Sequence, residues 1–250
     1  MDRLYYREYY TLEREHWWFR ARSNILSAQL AEMVGRLHSR PTILNIGAAL
    51  GASSEMLSRY GDVTSVEYDK ECCDFVRQHA GQHFINASIT ELPFKSGCFD
   101  IVCAFDVIEH VQDDARAVLE MIRVCRPRGV VAVTVPAFKL LWSHHDEVNH
   151  HQRRYRLPAL KDLFQGPGQP ILASYFNVAL FPPIAGLRAI TRLVPQSWIR
   201  RGAGSDFTLV NNRWLDGLFY RVLNSETAWL RRGGTFPFGV SAFLSWRKGI

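Results

Sequence analysis

The chain has 250 residues, 47% of them hydrophobic and 22% charged, which is globular usage, long enough to bury a sizeable core and unlike that of a disordered chain. Its formal charge of +6 and sequence pI near 9.2 favour anionic surroundings without specifying a partner. No apolar run reaches the roughly 20 residues of a bilayer span: the nearest, Val178 to Leu187, holds two prolines and meets Arg188. The five cysteines (Cys72, Cys73, Cys98, Cys103 and Cys125) form no zinc-like C-x-x-C pair, and the opening residues lack the apolar core of a signal peptide. A cytoplasmic setting is expected.

In chain order, Tyr5 to Val34 carries apolar residues at helical spacing (Ile25, Leu26, Leu30, Met33) and reads as two helices. Ile43 to Ile46 is a short apolar run closed by Gly47, which reads as a buried parallel strand and turn. Ser53, Ser54 and Glu55 are expected to cap the next helix. Strands over Val63–Glu67, His83–Asn86, Ile101–Phe105 and Val130–Val135 alternate with helices over Glu71–Ala80 and Asp113–Cys125, and Arg126 to Gly129 reads as a turn. A helix near Leu157–Phe164, a strand near Ile171–Phe176 and a final strand near Val240–Trp246 complete the pattern. The rhythm predicts an α/β fold: a Rossmann-like, seven-stranded, mostly parallel sheet with helices on both faces. Residues 1–250 are expected to form one domain, with a helical lid over 1–38, the core over 39–176, a helical insertion over 177–234 and the last strand over 235–250.

Ligands of open parallel sheets sit at the carboxyl ends of the strands where strand order reverses. There the chain has Asn45-Ile46-Gly47-Ala48-Ala49-Leu50-Gly51, whose glycines permit a tight turn and close approach of the backbone. Some 20 residues on, Val66-Glu67-Tyr68-Asp69 places an acid where it can accept from both hydroxyls of a ribose. Asp106-Val107-Ile108-Glu109-His110 brings polar groups to the same rim.

With Glu91-Leu92-Pro93-Phe94, Phe99-Asp100-Ile101-Val102 and Arg123 to Gly129 added, residues 40 to 136 resemble the class I S-adenosylmethionine-dependent methyltransferases, particularly methyltransferase type 11. His16 to Arg22 resembles the lid that precedes the sheet in such enzymes. The resemblance implies S-adenosyl-L-methionine as cofactor, with Asn45, Gly47, Ala48, Ala49 and Gly51 beside its methionine part and Glu67, next to Tyr68, on the ribose. It also implies Ser88 and Ile89 beside the adenine, and Asp106 and Val107 closing the pocket. Asn45, Ala49 and Ser88 depart from the usual Asp, Gly and Asp of the family.

Methyl transfer needs alignment of acceptor, methyl and sulfur, and for some acceptors removal of a proton. The segment Trp142 to Tyr155 leaves the carboxyl end of a strand and is rich in histidine. His145 and His151 are its candidate bases, with Asp146 to orient them. His110, Trp142, Arg154 and Tyr155 are candidates for the acceptor; the pattern Trp142, His145, Asp146, His151, Arg153, Arg154, Tyr155 is also similar to related enzymes. A structural role for these groups, tying the loop to the sheet, stays open. The spacing lacks H-E-x-x-H, so no metal is expected.

The insertion mixes Phe181, Pro182, Pro183, Ile184, Leu187, Ile190 and Leu193 with Arg188, Arg192, Arg200 and Arg201. It is expected to set acceptor specificity, either as a helical cap on its own core or as a face for a lipid-linked acceptor and a peripheral membrane contact. No nucleic-acid module is present in the sequence, and none is expected as a partner. Two other readings remain: a cofactor-binding sensor or scaffold without turnover, and an enzyme using the same cofactor for other chemistry.

Overall fold

The computed structural model describes residues 3–35, 37, 39–193 and 213–250. Arg200 and Arg201, and the side chains of Arg192 and Leu193, lie outside the described residues. Two helices open the chain, α1 (Arg3–Glu15) and α2 (Trp17–Val34). The core follows as β1 (Thr42–Ile46), α3 (Ala52–Ser58), β2 (Asp62–Glu67), α4 (Lys70–Ala80), β3 (Ile85–Asn86), β4 (Phe99–Phe105), α5 (Asp114–Val124) and β5 (Cys125–Pro136). Then come α6 (His144–Val148), α7 (Leu157–Asp162), β6 (Gly168–Phe176), α8 (Phe181–Leu193), α9 (Arg213–Arg231) and β7 (Ser241–Lys248).

The strands form one seven-stranded sheet in the order β3-β2-β1-β4-β5-β7-β6. β1 to β5 pair in parallel, and β7 runs antiparallel to both β5 and β6. Strand order therefore reverses between β1 and β4, so their carboxyl ends diverge into a crevice. Alternation along the strands explains the two layers. Leu44, Ile46, Val102 and Ala104 face α5, which contributes Ala117, Val118 and Met121. Ile43, Ile101, Cys103 and Phe105 face the opposite layer, where α2 packs Ala21, Ile25, Leu26 and Leu30 and α9 adds Leu223 and Leu230. A third cluster joins Tyr6 of α1 to Ala48 and Leu50 of the glycine loop and to Cys72, Phe75 and Val76 of α4. The opening helices thus pack against both the sheet and the glycine loop.

Local readings need three corrections. The N-cap of α3 is Gly51, at φ 97°, with no side-chain cap bond. The Ser53 and Ser54 hydroxyls instead accept from the Asn45 side-chain amide, each at 2.9 Å. Arg126 to Gly129 is not a separate turn, because β5 already begins at Cys125 and takes up the irregularity as a register shift opposite Phe99 and Ile101, with Arg128 at φ 64°. The third strand is only the pair Ile85–Asn86, because the chain reaches the sheet edge late and joins β2 alone. Among the described residues, no helix is long and apolar enough to cross a membrane.

Candidate functional site

A cavity of about 870 Å³ opens where β1 and β4 diverge, within the size range of pockets that hold small ligands. One end is formed by Gly47, Ala49, Ala52 and Ser53, the other by Asp106, Glu109, His110, His145, His151 and Arg154. Trp17, Trp18, Phe19 and Arg22 of α2 close one side, and Leu180 with Pro183, Ile184 and Leu187 of α8 closes another. The sequence-based lid and insertion therefore both contribute walls.

At the glycine end the work is done mainly by backbone. Gly47 sits at φ 67°, and a Cβ there would lie 2.4 Å from Val107 Cγ2, so only glycine lets the loop pass this close to β4. Val107 supports the loop from behind and does not line the cavity. Glu67, at the end of β2, accepts from Ala49 N–H at 2.9 Å and from Asp69 N–H at 3.0 Å, which fixes the carboxylate beside the loop. Each oxygen keeps a second lone pair for another donor.

Glu13 of α1 accepts from the backbone of Leu50, in the glycine loop, and of Ala52, the first residue of α3. Burial pushes its pKa up to about 7, and its Oε2 has no hydrogen-bond partner among the described residues. The loop amides favour the carboxylate form of Glu13, but less than burial disfavours it, so this carboxyl holds its proton more tightly than one in water.

Several expected cofactor residues sit off the cavity wall, Glu67 among them, which braces the loop through Ala49 N–H. Asn45 and Ala48 are buried beneath the loop, and the Asn45 amide is spent on α3. Gly51 turns the chain into α3 instead. Tyr68 is 77% exposed at the rim, so its ring holds nothing in place there. Ser88 bonds Thr90 within a turn, and Ile89 is buried in the core beside it.

At the opposite end the site is built from side chains. Asp146 has no exposed surface, and its carboxylate accepts from His151 Nδ1 at 2.8 Å, from Ser143 N–H at 2.8 Å and from Arg154 through two contacts of 2.7 and 3.0 Å. Burial alone would raise its pKa, but the His151 and Arg154 hydrogen bonds and the Arg154 charge hold it well below the usual carboxylate range. Asp146 therefore orients His151. Its sequence neighbour His145 points elsewhere, toward the side-chain amide of Asn149.

Arg154 lines the cavity, but its guanidinium is committed to Asp146 and to the carbonyl of Ala137. Tyr155 donates to Asp114 at 2.7 Å and lies off the wall, which makes it a tie between loop and α5. Trp142 also lies off the wall. His110 opens onto the cavity with its ring 4.7 Å from that of His151. Surrounding protein first, and the facing His151 second, push its pKa down.

Three lining residues had no assigned role in the sequence reading. Arg22 pairs with Asp106 and with Thr134 Oγ1, the latter at 2.9 Å, so the lid is tied to the end of β4. Glu13 joins α1 to the glycine loop. Glu109 lies wholly buried one residue before His110. Its position in Asp106 to His110 was a usable signal, but its burial depends on packing between distant segments.

The architecture is that of the Rossmann-like methyltransferases. Residues 44–133 match the family model described as a methyltransferase domain. A probable S-adenosylmethionine-dependent methyltransferase of Mycobacterium tuberculosis is 32% identical over 127 residues, covering 50% of this chain and 44% of that one. Malonyl-(acyl-carrier protein) O-methyltransferase of Enterobacter lignolyticus is 24% identical over 224 residues, covering 86% of this chain and 84% of that one. The fold is shared with the Haemonchus contortus phosphoethanolamine N-methyltransferase 2 solved with S-adenosyl-L-methionine: TM-score 0.55, 14% identity, 90% of this chain and 52% of that one. It is shared too with the cyclase SpnF: TM-score 0.57, 14% identity, 91% and 82% coverage. Residues 44–133 thus carry a methyltransferase domain, and the chain is similar over about half its length to S-adenosylmethionine-dependent methyltransferases. It spans 44 to 48% of the length of the first of the curated relatives it matches.

Proposed function

We propose that the chain transfers the methyl group of S-adenosyl-L-methionine to a small-molecule or lipid-linked acceptor held at the histidine end of the cavity. The observation that carries this reading is one cavity lined both by a glycine loop with Gly47 at a positive φ and by an imidazole, His151, oriented by a buried carboxylate. The cofactor supplies an electrophilic methyl on a sulfonium centre. Gly47, Ala49 and the first amides of α3 would hold its amino-acid part, and Glu67 its ribose hydroxyls. Its carboxylate and that of Glu13 suit the same amides, so cofactor entry requires Glu13 to shift or to bind protonated.

Binding and alignment are the chief tasks of the chain in an in-line transfer. His151, fixed by Asp146, stands at the end that takes the polar part of the acceptor, and the apolar wall of Leu180, Ile184 and Leu187 receives its remainder. Leu187 and Ile190 of α8, with Trp214 and Trp229 of α9, also present exposed apolar surface, which supports a lipid-linked acceptor and a peripheral contact with a bilayer.

Isothermal titration with S-adenosylmethionine and its demethylated product tests the reading. Binding of both at micromolar concentration is expected, and failure of either to bind below millimolar would reject it. Transfer itself is read by mass spectrometry as the gain of one methylene unit in the acceptor. A changed acceptor without that gain would point to other chemistry on the same fold, as in the cyclase.

A further inference from the structure

We propose that Glu109, His110 and His151 form a divalent-cation site at the acceptor end of the cavity, and that the cation holds an oxygen of the methyl acceptor. The ligand atoms of these three residues all lie within 4.8 Å of one another, near enough for one metal ion to bridge them. All three line the cavity.

Charge accounting singles out Glu109. Asp106 is paired with Arg22, and Asp146 with Arg154. Glu109 has no exposed surface, and neither of its carboxylate oxygens has a hydrogen-bond partner from any other described residue. A buried carboxylate with no partner is costly unless it is protonated or meets a cation. The charges of Arg22 and Arg154 act on Glu109, but both guanidinium groups are bonded to other carboxylates, and the two imidazoles beside it complete a set that binds first-row divalent metals.

Both imidazoles are also positioned as metal ligands are. His151 gives Nδ1 to Asp146, which leaves Nε2 as its free nitrogen. His110 is hydrogen-bonded through its ring to the backbone carbonyl of Asn149, which leaves its other nitrogen available. Anchoring one ring nitrogen on a carboxylate or carbonyl is how proteins fix the tautomer of a ligating histidine. The loop that delivers His151 is itself pinned to the turn that delivers Glu109, by Gln152 N–H to Glu109 O at 2.8 Å. Two histidines and one carboxylate leave coordination positions open, as catalytic sites require. The expectation of no metal, drawn from histidine spacing alone, is revised by Glu109, which that spacing did not include.

The proposal deepens the reading of this cavity as a methyl-transfer site and rests on it. A cation here suits an acceptor with a hydroxyl or carboxylate oxygen and lowers the proton affinity of a hydroxyl. The hydroxyl proton leaves to solvent, an oxygen lone pair forms the bond to the methyl carbon, and the carbon–sulfur bond breaks with its electron pair passing to sulfur. The products are the methylated oxygen, the neutral thioether and one proton.

The test uses the full chain, stripped with a chelator and then titrated with cobalt(II), followed by visible absorption and by calorimetry with zinc. One equivalent is expected to bind at micromolar concentration or tighter. Glu109→Gln and His110→Ala should each weaken binding by roughly tenfold or more, while His144→Ala, an exposed histidine outside the cluster, should leave it unchanged. No binding by the wild-type chain overturns the proposal, as does undiminished binding by both cluster variants with circular dichroism intact. If Glu109→Gln does not fold, His110→Ala decides alone. Titration of the same stripped chain with the demethylated cofactor separates the two readings. Cofactor binding without cation binding sinks only the cation site, whereas absent cofactor binding sinks the methyl-transfer reading itself.

Discussion

The two ends of the cavity are built on opposite plans. The glycine end takes its lining from one stretch, Gly47 to Ser53, braced by the Glu67 carboxylate from off the wall, and relies on backbone amides and a missing Cβ. The histidine end sets Glu109, from the turn after β4, beside Asp146, His151 and Arg154 of one loop, and relies on buried charges that must be matched one against another. A backbone cradle tolerates changes of side chain, because amides are present whatever residue stands there. A network of buried charges does not, because removing one member strands the others.

The sharpest way to break the comparison is Asp146→Ala. It leaves Arg154, only 8% exposed, without its bidentate partner and frees His151, so stability should fall by about 3 kcal/mol or more in chemical denaturation. A loss under about 1 kcal/mol would mean that the histidine end is as tolerant as the loop.

Next in size, Glu67→Ala should weaken cofactor binding by roughly tenfold or more in calorimetry, as removal of an acceptor for charge-assisted bonds does. Stability should change less than in the Asp146 variant, since the two backbone amides it frees lie near solvent. Unaltered affinity would show that the loop amides suffice.

Glu13 sharpens the comparison through pH. Its carboxyl is raised from 4.5 to about 7, so between those values the folded chain holds a proton that the unfolded chain has released. Stability from this group is therefore full below about pH 4.5 and falls as pH rises through 7. Glu13→Gln should remove that slope, worth on the order of 2 kcal/mol, when unfolding is followed from about pH 5 to pH 8. An unchanged slope would place the Glu13 carboxyl in water.

The smallest effect belongs to Ala49, held at φ 46° in the left-handed region. Ala49→Gly relieves that strain but adds freedom to the unfolded chain, so a net gain below about 1 kcal/mol is expected in thermal unfolding. Cofactor affinity should stay the same, because the amide that bonds Glu67 is retained.

The same contrast governs what could be read in the sequence. The sheet was legible because buried parallel strands such as Ile43 to Ile46 and Val130 to Val135 are continuous apolar runs between turn signals. The glycine loop and Glu67 were legible because their spacing is local. The caps were less so: Ser53 and Ser54 have the right chemistry for an N-cap, but the buried amide of Asn45 competes for their hydroxyls. At the histidine end, Asp146 sits beside His145 in sequence, yet neighbours on a helix point about 100° apart, and the partner it orients is His151, five residues on. Arg22, Glu13 and Glu109 could not be assigned their roles, because charge pairing and burial there arise from packing between segments far apart in the chain.

A crystal structure of the full chain with S-adenosylhomocysteine tests the division of the cavity most directly. The account requires the ribose hydroxyls within hydrogen-bond distance of Glu67, the amino-acid part against Gly47 and the start of α3, and the sulfur directed toward His151. Ligand density elsewhere on the chain, or a sulfur turned away from the histidine end with Glu13 still seated on the Leu50 and Ala52 amides, would contradict it.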